Sequence, residues 1–339
     1  MRADLVLEGG GVKGIGLAGA VAAVTDAGYE PQRISGTSAG ALVGAIVAAG
    51  ARGDRIGEIT RRLDFRSVAD RHGLGRVPLV GPGLALLTGA GLYRGEYLLD
   101  WITTELAALG VRTWRDLRLD DPGLPPEQRY RLVVTCSDLT LGQLVRFPWD
   151  YGDVYGLDAD DQPVADAVRA SMAIPFLFEP TTLRHGTGLS STLVDGGLLS
   201  NFPIDSLDRT DGAAPAWPTF GITITTAPKS GIGDRVALFH PRMFEWPQPT
   251  ALRLLEQLVT TMFVGRDQAY LNRPWVAART IHVDAGGIGL LDFGISRERS
   301  DALFRRGHHA AAAFLAEFDW DAYRERFRAD AATGTGVIR

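Results

Sequence analysis

The stretch Arg33-Ile34-Ser35-Gly36-Thr37-Ser38-Ala39-Gly40-Ala41-Leu42 decides the interpretation of this chain. It holds Ser38 in a G-x-S-x-G pattern, after a short apolar strand candidate and before an alanine-rich helix candidate over residues 39–49. A serine on a sharp strand-to-helix turn is the arrangement of a nucleophile elbow. The flanking Gly36 and Gly40 suit such a turn, because larger side chains would collide with the adjoining strand and helix. An ordinary turn of small residues explains the five-residue pattern equally well.

A second glycine-rich turn, Glu8-Gly9-Gly10-Gly11-Val12-Lys13-Gly14, follows a strand candidate over residues 4–7. It satisfies G-x-G-x-x-G, but a dinucleotide site also requires an acidic residue about 20 positions further on, at the end of the second strand. That strand runs instead into Ser38. A P-loop requires Lys and then Ser or Thr after the last glycine, where this chain has Ile15. A nucleotide-binding protein is therefore the weaker alternative.

The same turn suits the oxyanion of an acyl-transfer intermediate. A glycine run that leads into a helix leaves unpaired N–H groups directed at one point, where a tetrahedral intermediate places its negative oxygen. The Lys13 side chain either adds positive charge there or extends into solvent. Because the two turns follow consecutive parallel strands, both open on the carboxyl edge of one sheet. The oxyanion-hole candidates are Gly9, Gly10, Gly11, Lys13 and Gly14, with Gly10 and Gly11 foremost.

A serine nucleophile needs a base, and Asp195 is the candidate carboxylate. It ends a short apolar strand candidate and is followed at once by two glycines, which let another segment approach closely. By chain order, Ser38, Asp195 and then His240 or His282 would form a triad, which suits a carboxylesterase acting on small soluble esters. In the alternative dyad, Asp195 takes the serine proton directly, which requires a desolvated carboxylate with a raised pKa.

Composition excludes several other classes of protein. The chain has 339 residues, 45% of them hydrophobic and 22% charged, which is enough for one large α/β domain or two modest ones. A net charge of −5 argues against nucleic acid as the partner. The six histidines show no metal-ligand spacing, so we expect neither a metal nor a cofactor. The early apolar run is too short for a signal peptide and the longest run is far below the ~20 residues of a membrane span, so we expect a cytoplasmic protein.

Four blocks carry a resemblance to a known family. They are Gly9 to Gly14, Gly36 to Gly40, Ala170-Ser171-Met172-Ala173-Ile174-Pro175 and Asp195-Gly196-Gly197, and their order and approximate spacing resemble the patatin-like phospholipase family. The resemblance implies a patatin-type three-layer α/β/α fold with a mainly parallel central sheet and a nucleophile elbow. It also implies a Ser38–Asp195 dyad with the glycine-rich turn as oxyanion hole, and a structural role for Asn201. Lys13 stands where many members have arginine.

The implied activity is that of a serine lipid acyl hydrolase of the phospholipase A type, which works through an acyl-enzyme. Its expected substrate is a membrane phospholipid or another acyl-ester lipid, which it would meet through peripheral membrane contact. The sequence does not determine the oligomeric state. We expect a single domain over residues 1–320 and a C-terminal tail over 321–339. The segment 73–92, rich in Gly, Pro and Leu, is a candidate mobile cover, and the aromatic loop 239–246 contacts either a bilayer or the core.

Overall fold

The computed structural model describes residues 1–70, 91–209, 214–225 and 273–327. Several predictions lie outside these residues: nearly all of the candidate cover at 73–92, the aromatic loop 239–246 with His240, and the last part of the tail. The sequence pattern also predicts a long amphipathic helix over residues 250–268, and this segment too lies outside the described residues. In the described part, no helix has the length and apolar character needed to cross a bilayer.

The described residues contain one sheet of eight strands. The strands are β1 (Arg2–Leu7), β2 (Glu30–Thr37), β3 (Leu132–Asp138), β4 (Gln143–Phe147), β5 (Thr181–Arg184), β6 (Ser190–Asp195), β7 (Thr219–Thr225) and β8 (Thr280–Asp284). Their order is β5-β6-β3-β2-β1-β7-β8, with β4 paired to β3. The run β3-β2-β1-β7-β8 is parallel throughout, while β4, β5 and β6 pair in antiparallel fashion. The predicted mainly parallel sheet is confirmed.

The helices in the described residues cover this sheet. They are α1 (Gly14–Asp26), α2 (Ala39–Ala48), α3 (Asp54–Arg62), α4 (Phe65–Val68), α5 (Glu96–Ala108), α6 (Asp150–Tyr155), α7 (Val164–Ser171), α8 (Pro274–Ala277), α9 (Arg297–Glu317) and α10 (Trp320–Phe327). Every residue of α2 is buried, since it lies between the sheet and outer helices. α1 and α9 touch backbone to backbone: a Cβ on Gly307 would lie 1.9 Å from the Gly16 carbonyl oxygen.

Strand alternation produces apolar surfaces on both faces of the sheet. In β1, Leu5 and Leu7 join the core under α1 and α2, while Val6 faces a second cluster with Phe202 and Val276. The second face is thus covered by the chain after β6 and by α8. Layers on both sides of a mostly parallel sheet confirm the three-layer α/β/α architecture.

Two predicted boundaries differ from the structure. The sequence pattern predicts a hairpin with strands over residues 130–135 and 143–147 and a turn over 137–142. In the structure the first of these strands, β3, continues through Asp138, because Ser137 and Asp138 pair with β4 on one edge and with β6 on the other. The hairpin turn is therefore confined to residues 139–142. In the expected tail, α10 forms a helix whose buried Tyr323 donates a hydrogen bond to the Trp275 carbonyl at 3.1 Å.

Candidate active site

Ser38 occupies a strained turn between β2 and α2. Its φ of 54° and ψ of −122° lie in a region that non-glycine residues rarely adopt, at a cost of about 1–3 kcal/mol. The two glycines of the motif allow the surrounding backbone to close. A Cβ on Gly36 would lie 2.4 Å from the Gly40 carbonyl oxygen, and one on Gly40 would lie 2.3 Å from the Leu7 carbonyl oxygen. The G-x-S-x-G pattern is thus required by packing, and it places Ser38 in the geometry of a nucleophile elbow.

Ser171 supports this turn from α7. The Ser38 backbone N–H donates to Ser171 Oγ at 2.8 Å, and the Ser171 hydroxyl donates to the Thr135 carbonyl oxygen at 2.7 Å. All three residues are buried. Ser171 lies in a block that carried the family resemblance, but the sequence pattern assigned it no contact, since its partner is 133 residues away.

Strand β3 brings the candidate nucleophile and base together. Its register pairs Thr37 with Thr135 and Asp195 with Cys136, the next residue of β3. Since β4 occupies the other edge of β3 along residues 134–138, β2 and β6 share one edge and meet there end to end. The carboxyl ends of β2 and β6 thus lie about one residue spacing, ~3.3 Å, apart along β3.

Asp195 is buried without a basic partner among the described residues. It is 0% exposed, and its Oδ1 accepts a hydrogen bond from the Gly197 N–H at 2.8 Å. Burial raises the pKa of the carboxyl to about 7, and hydrogen bonding from the Ser38 hydroxyl and the Gly197 amide opposes the rise. By distance and angle, however, Oδ2 has no hydrogen-bond partner in the described part of the chain. The Ser38 hydroxyl thus lies close enough to lower the pKa of Asp195 without a fully formed hydrogen bond to Oδ2, as is common before substrate binds.

Gly196 explains why the aspartate is followed by glycine. A Cβ there would lie 2.4 Å from the Thr135 carbonyl oxygen, so only glycine lets the chain turn away from β3 directly after Asp195. The next residue, Gly197, donates its backbone N–H to Asp195 Oδ1.

Three of the four described histidines have other hydrogen-bond partners. His282 Nδ1 lies 2.9 Å from the Thr223 hydroxyl on β7, His185 Nε2 lies 2.9 Å from Ser191, and His308 lies 3.1 Å from Asp26. None of them is hydrogen-bonded to Ser38 or Asp195. Of the two histidines considered for a triad, His282 lies on β8 and is bonded to β7, whereas Ser38 follows β2 and Asp195 ends β6. His240 lies outside the described residues.

The glycine-rich turn faces Ser38, but its amides are not equally available. A Cβ on Gly9 would lie 3.1 Å from Ser38 Cβ. The Gly9 N–H donates to the Asn201 carbonyl at 3.1 Å and the Lys13 N–H to the Gly10 carbonyl at 3.0 Å. The Gly14 N–H is likewise engaged within the turn. These three amides are therefore already hydrogen-bonded, which leaves Gly10 and Gly11 as the oxyanion-hole candidates from this turn.

The Gly10 and Gly11 amides have no hydrogen-bond partner in the described part of the chain. The same holds for Ala39, the first residue of α2, which sequence reasoning missed. An amide directly after the nucleophile, combined with one from a neighbouring loop, is the usual oxyanion-hole pair of an elbow. Its signal was available in the motif, since the position after the serine is determined by the G-x-S-x-G pattern.

Two further residues shape this turn. The Asn201 side-chain amide donates to the Gly9 carbonyl and to Glu8 Oε1, both at 3.2 Å. Lys13 is half-buried, and burial lowers the pKa of its ammonium while the charges of Glu8 and Asp292 oppose that shift. The Lys13 side chain therefore does not extend freely into solvent.

A narrow apolar cleft begins at Ser38 and follows one side of α2. Its empty volume, including the solvent-filled opening, is about 660 Å³. From Ser38 the cleft passes Leu42, Val43 and Ile46. Ile46 lies about 12 Å from Ser38 along the helix axis. Opposite walls come from the α3–α5 region and from the segments after α7 and β8, through Leu63, Trp101, Met172, Ile174, Phe178, Leu290 and Phe293.

Comparison with known proteins gives one family. Residues 5–208 match the sequence model of patatin-like phospholipases. The uncharacterized protein YqhO of Bacillus subtilis is 32% identical over 324 residues, which cover 94% of this chain and 100% of YqhO. The uncharacterized NTE family protein Rv1063c of Mycobacterium tuberculosis is 28% identical over 203 residues, 60% of this chain and 44% of that protein. The chain thus spans all of one relative but less than half of the other.

The fold has a solved counterpart as well. The crystal structure of VipD from Legionella pneumophila superimposes with a TM-score of 0.51 over 93% of this chain and 67% of VipD, at 20% sequence identity. At this identity the match concerns the fold alone, and it agrees with the three-layer arrangement described above.

Proposed function

Since this chain belongs to the patatin-like phospholipase family, whose members act as lipid acyl hydrolases, we propose that it cleaves fatty-acyl esters of membrane phospholipids through Ser38 and Asp195. One observation carries the assignment of residues. Asp195 is buried beside the nucleophile elbow, its pKa is raised to about 7, and its Oδ2 has no hydrogen-bond partner among the described residues. Such a carboxylate is suited to accept the serine proton near neutral pH.

In the proposed reaction, Ser38 Oγ attacks the ester carbonyl carbon while Asp195 Oδ2 accepts the hydroxyl proton. The carbonyl oxygen becomes negative and is stabilised by the amides of Gly10, Gly11 and Ala39. The carbon–oxygen bond to the leaving alcohol then breaks, and Asp195 returns the proton to that alcohol. This step leaves a fatty-acyl ester on Ser38.

The second half reverses these roles with water as nucleophile. Asp195 takes a proton from a water molecule while the water oxygen attacks the acyl carbon. The same amides stabilise the second oxyanion. The bond to Ser38 Oγ then breaks, the serine oxygen recovers the proton, and the fatty acid leaves. One carboxylate therefore acts alternately as base and acid in both halves.

The cleft supports an acyl chain as the bound part of the substrate. Its lining is almost entirely apolar, and burial of each methylene there is worth roughly 0.8 kcal/mol. A small soluble ester would leave most of the cleft empty. The proposal includes a cytoplasmic protein with a single domain over residues 1–320, which meets its substrate through peripheral membrane contact.

The test is release of fatty acid from phospholipid vesicles, followed by mass spectrometry, for the wild type, Ser38→Ala, Asp195→Asn, His240→Ala and His282→Ala. We expect release to be lost in the first two variants and kept in both histidine variants. Loss in a histidine variant would favour the carboxylesterase triad, and release that survives Ser38→Ala would overturn the mechanism. Thermal stabilisation by NAD or ATP without any hydrolysis would favour the nucleotide-binding alternative.

The cleft is tested separately with esters of increasing chain length. Phe at position 43 would obstruct the cleft about 7.5 Å along the helix from Ser38, and Phe at position 46 about 12 Å along. We expect Val43→Phe to stop turnover at a shorter acyl length than Ile46→Phe, while the shortest ester is cleaved by both. Equal cut-offs would argue that acyl chains bind elsewhere.

A further inference from the structure

The large apolar side chains that remain exposed are unevenly distributed over the described residues. Met1 lies at the start of β1, at the amino edge of the sheet, while the other four lie beyond the carboxyl edge, where Ser38 is found. Their exposures are Met1 70%, Leu139 51%, Leu141 46%, Phe176 44% and Leu189 67%.

The three leucines lie on two hairpin turns at the same end of the neighbouring strands β3 and β6. Leu139 and Leu141 lie in the β3–β4 turn, and Leu189 ends the β5–β6 turn. The Leu139 N–H donates to the Thr192 carbonyl and the Thr192 N–H to the Thr140 hydroxyl, both at 2.9 Å. Since β6 runs antiparallel to β3, the residue before β6 lies next to the end of the β3–β4 turn. The leucines thus share one projecting end.

The fourth side chain, Phe176, belongs to the segment between Ile174 and Phe178, both of which line the cleft. Just before this segment, the Ala173 carbonyl accepts the Asp195 N–H at 2.9 Å. The φ of Phe176 is 67°, a conformation that costs a bulky residue free energy. An exposed aromatic ring on a strained backbone beside the cleft has no role in packing the core.

The leucine turn is rigidly built. Asp138 is 1% exposed, and its Oδ1 accepts the N–H groups of Thr140 at 2.8 Å and Leu141 at 2.9 Å. Its Oδ2 accepts the Tyr155 hydroxyl at 2.8 Å. These contacts hold the turn in place without using the leucine side chains. Polar residues would satisfy the same turn at no cost in exposed apolar surface, so the leucines call for a separate explanation.

The turns that carry these side chains contain no charged residue, although the exposed Arg184 directly precedes the last of them. Residues 139–142, 174–178 and 185–189 contain no Asp, Glu, Lys or Arg, in a chain of which 22% is charged. A neutral, apolar surface can enter a bilayer without desolvating an ion, even though the whole chain carries a net charge of −5. The surface lies at the edge of the sheet to which a lipid substrate must come.

We propose that Leu139, Leu141, Leu189 and Phe176 form a docking surface that inserts into a phospholipid bilayer beside the cleft. The choice of a bilayer as the occupant rests on the proposed lipid substrate, which is released from such a surface. Insertion of the apolar tips positions the carboxyl edge of the sheet against the membrane. A substrate acyl chain then passes into the cleft without crossing open water.

The test measures binding to phosphatidylcholine vesicles by sedimentation, in a Ser38→Ala background that prevents hydrolysis. We expect Leu139→Ser, Leu141→Ser and Leu189→Ser together to lower the partition coefficient by roughly tenfold or more, because the inserted apolar area is lost. The matched Leu→Met triple variant keeps the apolar area and the binding. Because the contact is uncharged, raising the salt concentration should change binding little. Unchanged binding in the serine triple variant would overturn the proposal.

A second measurement separates a bilayer from another copy of the chain. If sedimentation without lipid shows a wild-type dimer that the serine variant dissociates, while vesicle binding is unaffected, the surface joins two copies instead. The docking proposal and the hydrolase proposal fail separately. Leucine-dependent binding without fatty-acid release from the wild type would refute only the hydrolase. Full release from vesicles by the serine variant in the active Ser38 background would refute only the docking surface.

Discussion

Two buried aspartates of the sheet differ in what faces them. Asp4 on β1 is 1% exposed, and its carboxylate accepts hydrogen bonds from the Arg33 backbone N–H and from Arg33 Nε, both at 3.1 Å. Asp195, at the carboxyl end of β6, is 0% exposed and receives the single backbone N–H of Gly197. The first carboxylate has a guanidinium beside it, and the second has a serine.

The difference separates a structural carboxylate from a candidate base. Burial raises the pKa of both groups, and at Asp4 the charge and hydrogen bonds of Arg33 oppose that rise. A carboxylate fixed by a cation has little tendency to accept a proton from a weak acid such as serine. One that is dehydrated and lacks a cation retains that tendency. Equal burial thus has opposite functional meanings at the two positions.

The largest expected effect comes from exchanging each aspartate for asparagine. Asp195→Asn should lower kcat/KM for a fatty-acyl ester by about 10³-fold or more, because the amide cannot accept the serine proton. Asp4→Asn should leave kcat per folded molecule unchanged but lower the free energy of unfolding by about 3–5 kcal/mol, because Arg33 stays buried without its counter-charge. Ester turnover and urea unfolding of both variants measure the contrast.

Each variant serves as the control for the other. If Asp4→Asn lost activity as severely as Asp195→Asn while still folded, the distinction between a structural and a catalytic carboxylate would fail. If Asp195→Asn kept its activity, another group would have to serve as the base.

A second prediction concerns the pH dependence of activity. A base acts in its ionised form, and the pKa of Asp195 is raised to about 7. We expect kcat/KM on a soluble acyl ester to rise about tenfold per pH unit from pH 5 and to level off above about pH 7, as the carboxyl loses its proton. Asp4→Asn should show the same profile. Activity that stays constant from pH 5 to pH 8 would exclude Asp195 as the titrating base.

A third prediction separates positioning from chemistry at the carboxyl end. Ser171→Ala removes the acceptor of the Ser38 N–H, and we expect a roughly ten- to hundredfold loss in kcat with KM for a soluble ester little changed, because Ser38 is no longer held in place. An unpaired buried amide also costs about 1–3 kcal/mol of stability.

The matched control is Ser137→Ala, another buried serine, whose hydroxyl makes only a long 3.4 Å contact with the Gly196 carbonyl. It should keep near-wild-type kcat. A loss in Ser171→Ala confined to stability, with kcat intact, would make Ser171 a structural residue only.

Local pattern was enough to predict much of this edge of the sheet. The strand, tight turn and helix around Ser38 follow from the residue types, and so does Asp195 on a turn beside two glycines. The difference between Asp4 and Asp195 could not be predicted from the local sequence pattern. Arg33 and Asp4 are 29 residues apart, and nothing in their spacing indicates that one would neutralise the other.

The remaining details depend on long-range pairing. The meeting of β2 and β6 depends on β3 pairing with both along one edge, which a single sequence does not reveal. The amide partners of Gly9 and Ser38 lie on Asn201 and Ser171, brought near only in the folded chain. The strand β3 was expected to end too early, because Ser137 and Asp138 are turn-forming residues in isolation and tertiary pairing overrides that preference.

A last expected effect concerns the pH dependence of stability and its sign. In the unfolded chain an aspartate loses its proton near pH 3.9, while folded Asp195 keeps its proton up to about pH 7. Between these values the folded state binds more protons, so this group's contribution to stability decreases as pH rises. Asp195→Asn removes that dependence. We therefore expect urea unfolding to show the variant gaining on the wild type by on the order of 2–3 kcal/mol between pH 5 and pH 8. A constant difference between the two proteins over that range would mean that folded Asp195 is ionised throughout it.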